Sequence, residues 1–129
     1  MKQNAEILEW LRMFEIFVRE KEFDLAKAMY KKSSDLFGTR VTYSSDIEEY
    51  QQLQWSKIWN VSEHFTIDKL IKTGVGDPYS FAVVLWRNTT VVDQKKIERS
   101  GRATFVFEVE EGTLRAIHSH FSDSPKSPA

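Results

Sequence analysis

Residues 101–122 read GRATFVFEVEEGTLRAIHSHFS, two runs of β-branched and aromatic residues separated by a glutamate and a glycine. Glu111-Gly112 is a good two-residue hairpin turn. With that turn Glu110 faces Thr113, and the remaining pairs follow by counting outward, because side chains alternate between the two sides of a strand. Val109 then faces Leu114, Phe107 faces Ala116, Phe105 faces His118 and Ala103 faces His120. The opposite side of the ribbon carries Glu108 with Arg115, Val106 with Ile117, Thr104 with Ser119 and Arg102 with Phe121. The first side is apolar apart from its histidines. The second groups Arg102, Thr104 and Ser119 beside Phe121. A cation and hydroxyls next to apolar residues suit a cavity for a small anionic or carbonyl-bearing ligand. Both sides read as at least half covered, one by helices and the other by a second subunit.

Upstream of the ribbon the periodicity changes from two to nearly four. Ile7, Leu11, Phe14 and Val18, widened by Trp10 and Phe17, predict an amphipathic helix over residues 4–21 with Asn4 as its cap. FDLAKAMYKKS, residues 23–33, reads as a second helix, and TRVTY, residues 39–43, as a short strand after Gly38. Ser45 and Glu48 have the spacing of a capping box, so a third helix is expected over about 46–59. SEHFTIDKLIKTG and YSFAVVLWRNTTVV supply two further strands before the terminal pair. Three helices and a meander of four long strands make an α+β domain, with the helices on one face of a curved antiparallel sheet. Residues 1–123 form that domain, and the polar, proline-bearing 124–129 read as a disordered tail.

Bulk properties exclude several classes of function. Eighteen basic against nineteen acidic residues give a net charge of -1 with no long basic run, which argues against nucleic acid as a partner. The absence of cysteine removes thiol nucleophiles and Cys-ligated zinc. Acidic residues spaced through the apolar N-terminus fit neither a signal peptide nor a membrane span, so a cytoplasmic protein is expected. The sequons at Asn60 and Asn88 are then chance matches.

The helix–helix–strand–helix–meander order, with Arg and Thr on the penultimate strand and His-x-His-Phe-Ser on the last, resembles the SnoaL-like members of the nuclear transport factor 2-like superfamily. The resemblance spans roughly residues 5–123. It implies a cone-shaped domain, a pocket between helices and concave sheet, and a homodimer through the convex face. It also turns the Thr104 side of the hairpin inward, so that Arg102, Thr104, Ile117, Ser119, Phe121 and Phe14 line the pocket. Aligned with the ketosteroid isomerases of the same superfamily, Phe14 falls at the oxyanion tyrosine, Gly38 at the general-base aspartate and Thr104 at the protonated aspartate. Neither Phe14 nor Gly38 can move a proton or hold an enolate, so that reaction is not expected.

Trp59, closing the third helix, is expected at the cavity mouth, and Tyr43 is expected to lend it a phenol. His118 and His120 share one side and are expected on the convex face. Were they to turn inward, they would be the acid/base candidates. A metal would need a third ligand beside them, so neither metal nor cofactor is expected. The resulting function is a domain that binds a small, partly apolar molecule through a carboxylate or carbonyl near Arg102. The alternatives are an isomerase, hydrolase or cyclase using a pocket histidine or water, and an oligomerisation module like the kinase association domain.

Overall fold

A computed structural model describes residues 2–125, with Lys2 described in its backbone alone. Helix α1 (Lys2–Glu20) buries Ile7, Trp10, Leu11, Phe14 and Val18, the stripe its periodicity predicts. It begins before Asn4, so Asn4 caps nothing. Its Oδ1 instead accepts a hydrogen bond from Thr73 Oγ1 at 2.9 Å.

Helix α2 (Phe23–Lys27) is shorter than expected. The chain leaves the helix for strand β1 (Tyr30–Phe37). There Tyr30 lies opposite Ala116, and the Ala116 N–H donates to the carbonyl of Met29. Sheet pairing thus overrides the helical propensity of the Ala-Lys run. Residues 39–43 form no strand. The next strand, β2 (Ser44–Asp46), pairs antiparallel with β1.

The third helical stretch starts one residue later than the Ser45 capping box implies. Asp46 is its N-cap, with Oδ1 accepting the N–H groups of Glu48 at 2.7 Å and Glu49 at 3.4 Å. The stretch then runs through α3 (Ile47–Tyr50), a π-helical turn (Gln51–Trp55), α4 (Ser56–Ile58) and a 3₁₀ turn (Trp59–Val61).

Strands β3 (Ser62–Gly74), β4 (Tyr79–Val92), β5 (Lys95–Glu110) and β6 (Thr113–Asp123) are the predicted meander. Strand β5 begins earlier than expected, because Asp93 and Gln94, both at positive φ, form a second tight hairpin turn. The sheet order is β2-β1-β6-β5-β4-β3, and the β1–β6 pair is parallel. The fold is therefore α+β, as expected, with a six-stranded mixed sheet in place of a wholly antiparallel one.

Helices cover the concave side. There β4 presents Ala82, Val84, Trp86 and Asn88, and β5 presents Ala103, Phe105 and Phe107, all buried. Glycine is needed at position 101, since a Cβ there would collide with the Trp86 ring. Among the described residues no helix is long and apolar enough to cross a membrane. The expected tail lies outside the described residues from 126 onward. Within it, the Ser124 N–H donates to the Ser100 carbonyl at 2.9 Å.

Candidate ligand cavity

A cavity of about 40 Å³ lies between α1, residues 47–61 and the concave sheet. Helix α1 contributes Phe14 and Val18, the helical stretch contributes Trp55, Ile58 and Trp59, and the sheet contributes Phe65, Trp86 and Phe121. Phe14 sits at the hub, its ring centroid 6.1 Å from those of Trp55 and Trp59 and 6.2 Å from that of Phe121. Trp59 is stacked between Trp55 at 4.5 Å and Phe23 at 5.1 Å. Trp55 and Trp59 border the cavity, and Phe23 backs them from behind. The π-helical turn widens the helix by one residue per turn, and the sequential pair Gln54 and Trp55 are both buried in the cavity wall. Half-buried Ile58, Arg99 and Phe121 mark the side that meets solvent.

The polar groups of the wall are mostly spent on one another. Gln54 Oε1 accepts the Arg40 N–H at 2.7 Å, and its Nε2 donates to Thr39 Oγ1 at 2.9 Å. Tyr50 donates its hydroxyl to the Phe37 carbonyl at 3.0 Å. Arg99 pairs with Asp123. Asn88 Nδ2 donates to Ser62 Oγ at 2.8 Å. Its Oδ1 is buried and accepts no hydrogen bond among the described residues. The titratable groups of the wall are Tyr50 and Arg99. Burial pushes the Tyr50 phenol well above its ordinary range, so it stays protonated near neutrality.

Phe14, Trp59 and Phe121 border this cavity. Ser119 points inward but belongs to the packed interior, where it accepts the Tyr30 hydroxyl at 3.0 Å. Arg102 and Thr104 do not point inward. Arg102 is exposed and Thr104 half-buried, on the convex side opposite Ser122 and His120. Two things reverse the expected orientation. The inner side of β5 is the aromatic row of Ala103, Phe105 and Phe107. Ile117 is then an extra residue in β6: Phe107 pairs with Ala116 but Val106 pairs with His118. This bulge shifts every later pair by one and re-aims its side chain. Ile117 itself is half-buried and does not border the cavity. Tyr43 also lies away from it, 51% exposed and donating to Asp35 Oδ1 at 2.8 Å.

His118 and His120 face away from the cavity, each with the Phe37 ring edge-on at 5.5 and 5.4 Å. His118 Nδ1 donates to the Asp35 carbonyl at 2.6 Å. Among the described residues no three His, Asp or Glu side chains come within metal-ligating range of one another. A side chain at position 38 would require Gln54 and Tyr50 to shift. A Cβ there would lie 2.5 Å from Gln54 Oε1 and 2.6 Å from the Tyr50 hydroxyl.

Counting the inner side of β4 gives Ser80, Ala82, Val84, Trp86, Asn88 and Thr90, a row in which Asn88 is the polar residue next to Trp86. Gln54 had no comparable signal, because a π turn leaves no mark in helical periodicity.

No protein-family model matches this chain, and no curated protein matches its sequence. Solved structures do. A nuclear transport factor 2-like superfamily protein from Salmonella enterica serovar Typhimurium superposes with a TM-score of 0.82 at 15% identity, over 96% of this chain and 92% of the other. The chain has the nuclear transport factor 2-like fold. A nuclear transport factor 2-like protein from Novosphingobium aromaticivorans, described as having a cystatin-like fold, gives 0.78 at 10% identity over 98% and 84%. A Xanthomonas campestris protein provisionally described as a calcium/calmodulin-dependent protein kinase II association domain gives 0.74 at 17% identity over 97% and 88%. Identities this low carry the nuclear transport factor 2-like fold and leave function to the site itself.

Proposed function

We propose that this domain binds a small aromatic or otherwise largely apolar molecule in the conical cavity, and that it does so without acid/base chemistry of its own. The observation that carries the reading is the wall: Phe14, Trp55, Trp59, Phe65, Trp86 and Phe121 surround a space with few free polar groups. This keeps the small-molecule reading of a SnoaL-like domain and removes its anchor from Arg102, which lies on the other side of the sheet. The volume of about 40 Å³ is well below the roughly 150 Å³ that holds benzene, so side chains of the wall must shift to admit a ring. An enzyme using a pocket histidine is disfavoured, because both candidate histidines face away. A homodimer through the convex face belongs to the same proposal. It is supported by the outward row of Phe81, Val83 and Leu85, half-buried in the single chain. A cytoplasmic location, suggested by the acidic residues spaced through the N-terminal helix, also stays part of it.

A thermal-shift screen of single-ring aromatic compounds tests the binding claim, because a ligand specific for the folded state raises Tm. Val18→Phe places a ring at the cavity wall, at a cost of about 1–3 kcal/mol of overpacking. The expected result is that wild type gains Tm with at least one compound and that folded Val18→Phe gains none. Equal shifts in both proteins, or none in wild type, would contradict the proposal.

A further inference from the structure

Asn88, one of the residues that border the cavity, carries a buried side-chain oxygen with no hydrogen-bond partner among the described residues. Asn88 is only 4% exposed, and its neighbours on the inner side of β4 are Trp86 and the buried Thr90, whose Oγ1 likewise has no partner among the described residues. Ser62 takes its Nδ2 at 2.8 Å, and its Oδ1 bonds to no described residue. A buried amide oxygen without a donor costs on the order of the hydrogen bond it lacks, and such groups are rare in native interiors. Two strands hold this amide in place, since Ser62 opens β3 and lies opposite Thr90 of β4. Arg99, directly across from Asn88 on β5, also borders the cavity, and Asp123 already offsets its charge.

We infer that Asn88 Oδ1 selects the ligand: a neutral aromatic molecule whose ring enters the Phe14–Trp59 cage and whose substituent donates an N–H or O–H to this oxygen. The inference rests on the proposed function and narrows it. A carboxylate is disfavoured, because it would set acceptor against acceptor at Asn88 and meet an arginine already paired. A carboxamide fits both ends, donating to Asn88 while its carbonyl faces the Arg99 side.

Three single-ring probes, toluene, benzamide and the benzamide isostere benzoate, separate the outcomes when titrated into the intact protein and followed by ¹H–¹⁵N spectra, including the Asn88 side-chain amide. Benzamide is expected to bind about tenfold more tightly than toluene, the effect of one neutral hydrogen bond, and to move the Asn88 amide resonance. Asn88→Leu is expected to reduce that preference to about one. If that variant does not fold, the wild-type comparison decides alone. Toluene and benzamide of equal affinity would overturn the selection by Asn88 while leaving the aromatic cage intact. A preference for benzoate would mean that the opposite end of the amide faces the ligand, and would overturn the inference too. A benzamide preference retained in Asn88→Leu would do the same. Failure of all three probes to bind would remove the proposed function itself.

Discussion

Tyr30 and Tyr50 are buried phenols with two different tasks. Tyr30 donates across the interior to Ser119, and Tyr50 ties the helical stretch to the end of β1. Burial raises both above the ordinary tyrosine range, the Ser119 bond offsetting part of the effect for Tyr30. A tyrosine is neutral when protonated, so the folded state keeps protons that the unfolded chain releases above pH ~10. The stabilisation is therefore complete below that pH and is lost as pH rises beyond it. Each phenol should contribute a slope of about 1.4 kcal/mol per pH unit there. Urea unfolding at a series of pH values between 9 and 11 checks this. Tyr30→Phe should unfold with a shallower alkaline slope than wild type, and identical slopes would show that Tyr30 titrates alike in both states.

Two features of single strands separate what could be read in advance from what could not. The Glu111-Gly112 turn and the first four pairs of the ribbon followed from turn chemistry and alternation, and the structure has them. From Ile117 onward the counting failed, because a bulge adds a residue without changing composition. Arg102 and Thr104 were misplaced for a related reason. Their hydroxyl and guanidinium looked like ligand groups, whereas Phe105 and Phe107 have the larger apolar area to bury, and burial decided which side of β5 turns inward. The cavity's aromatic lining was partly legible in Phe14 and Trp59, whose helical positions needed no strand register, whereas Phe121 borders the cavity because the bulge pairs it with Ala103 and not with Arg102. Strand β4 carries a prediction of its own. Phe81, Val83 and Leu85 alternate on its convex side and offer a second copy an apolar seam. Sedimentation equilibrium should return about twice the chain mass of 15.1 kDa. Val83→Glu should return the monomer mass. A wild-type monomer would contradict the homodimer.

At the scale of the molecule, helices on one side of a bent sheet leave a tapered space, and the sequence fills most of it with rings. Phe14 touches the helical wall and the sheet at once, which couples the shape of the cavity to the packing of the whole core. Under the proposed function, ligand entry and core rearrangement are one event, and tightness of binding depends on how readily Trp55 and Trp59 yield. The claim on which the account rests is that this space, and not the histidine-bearing outer face, receives a ligand. Intermolecular nuclear Overhauser effects with benzamide test it most directly. The account predicts contacts from the ring protons of the ligand to Phe14, Trp59 and Phe121. Contacts confined to Phe37, His118 or the Phe81–Leu85 row would contradict it.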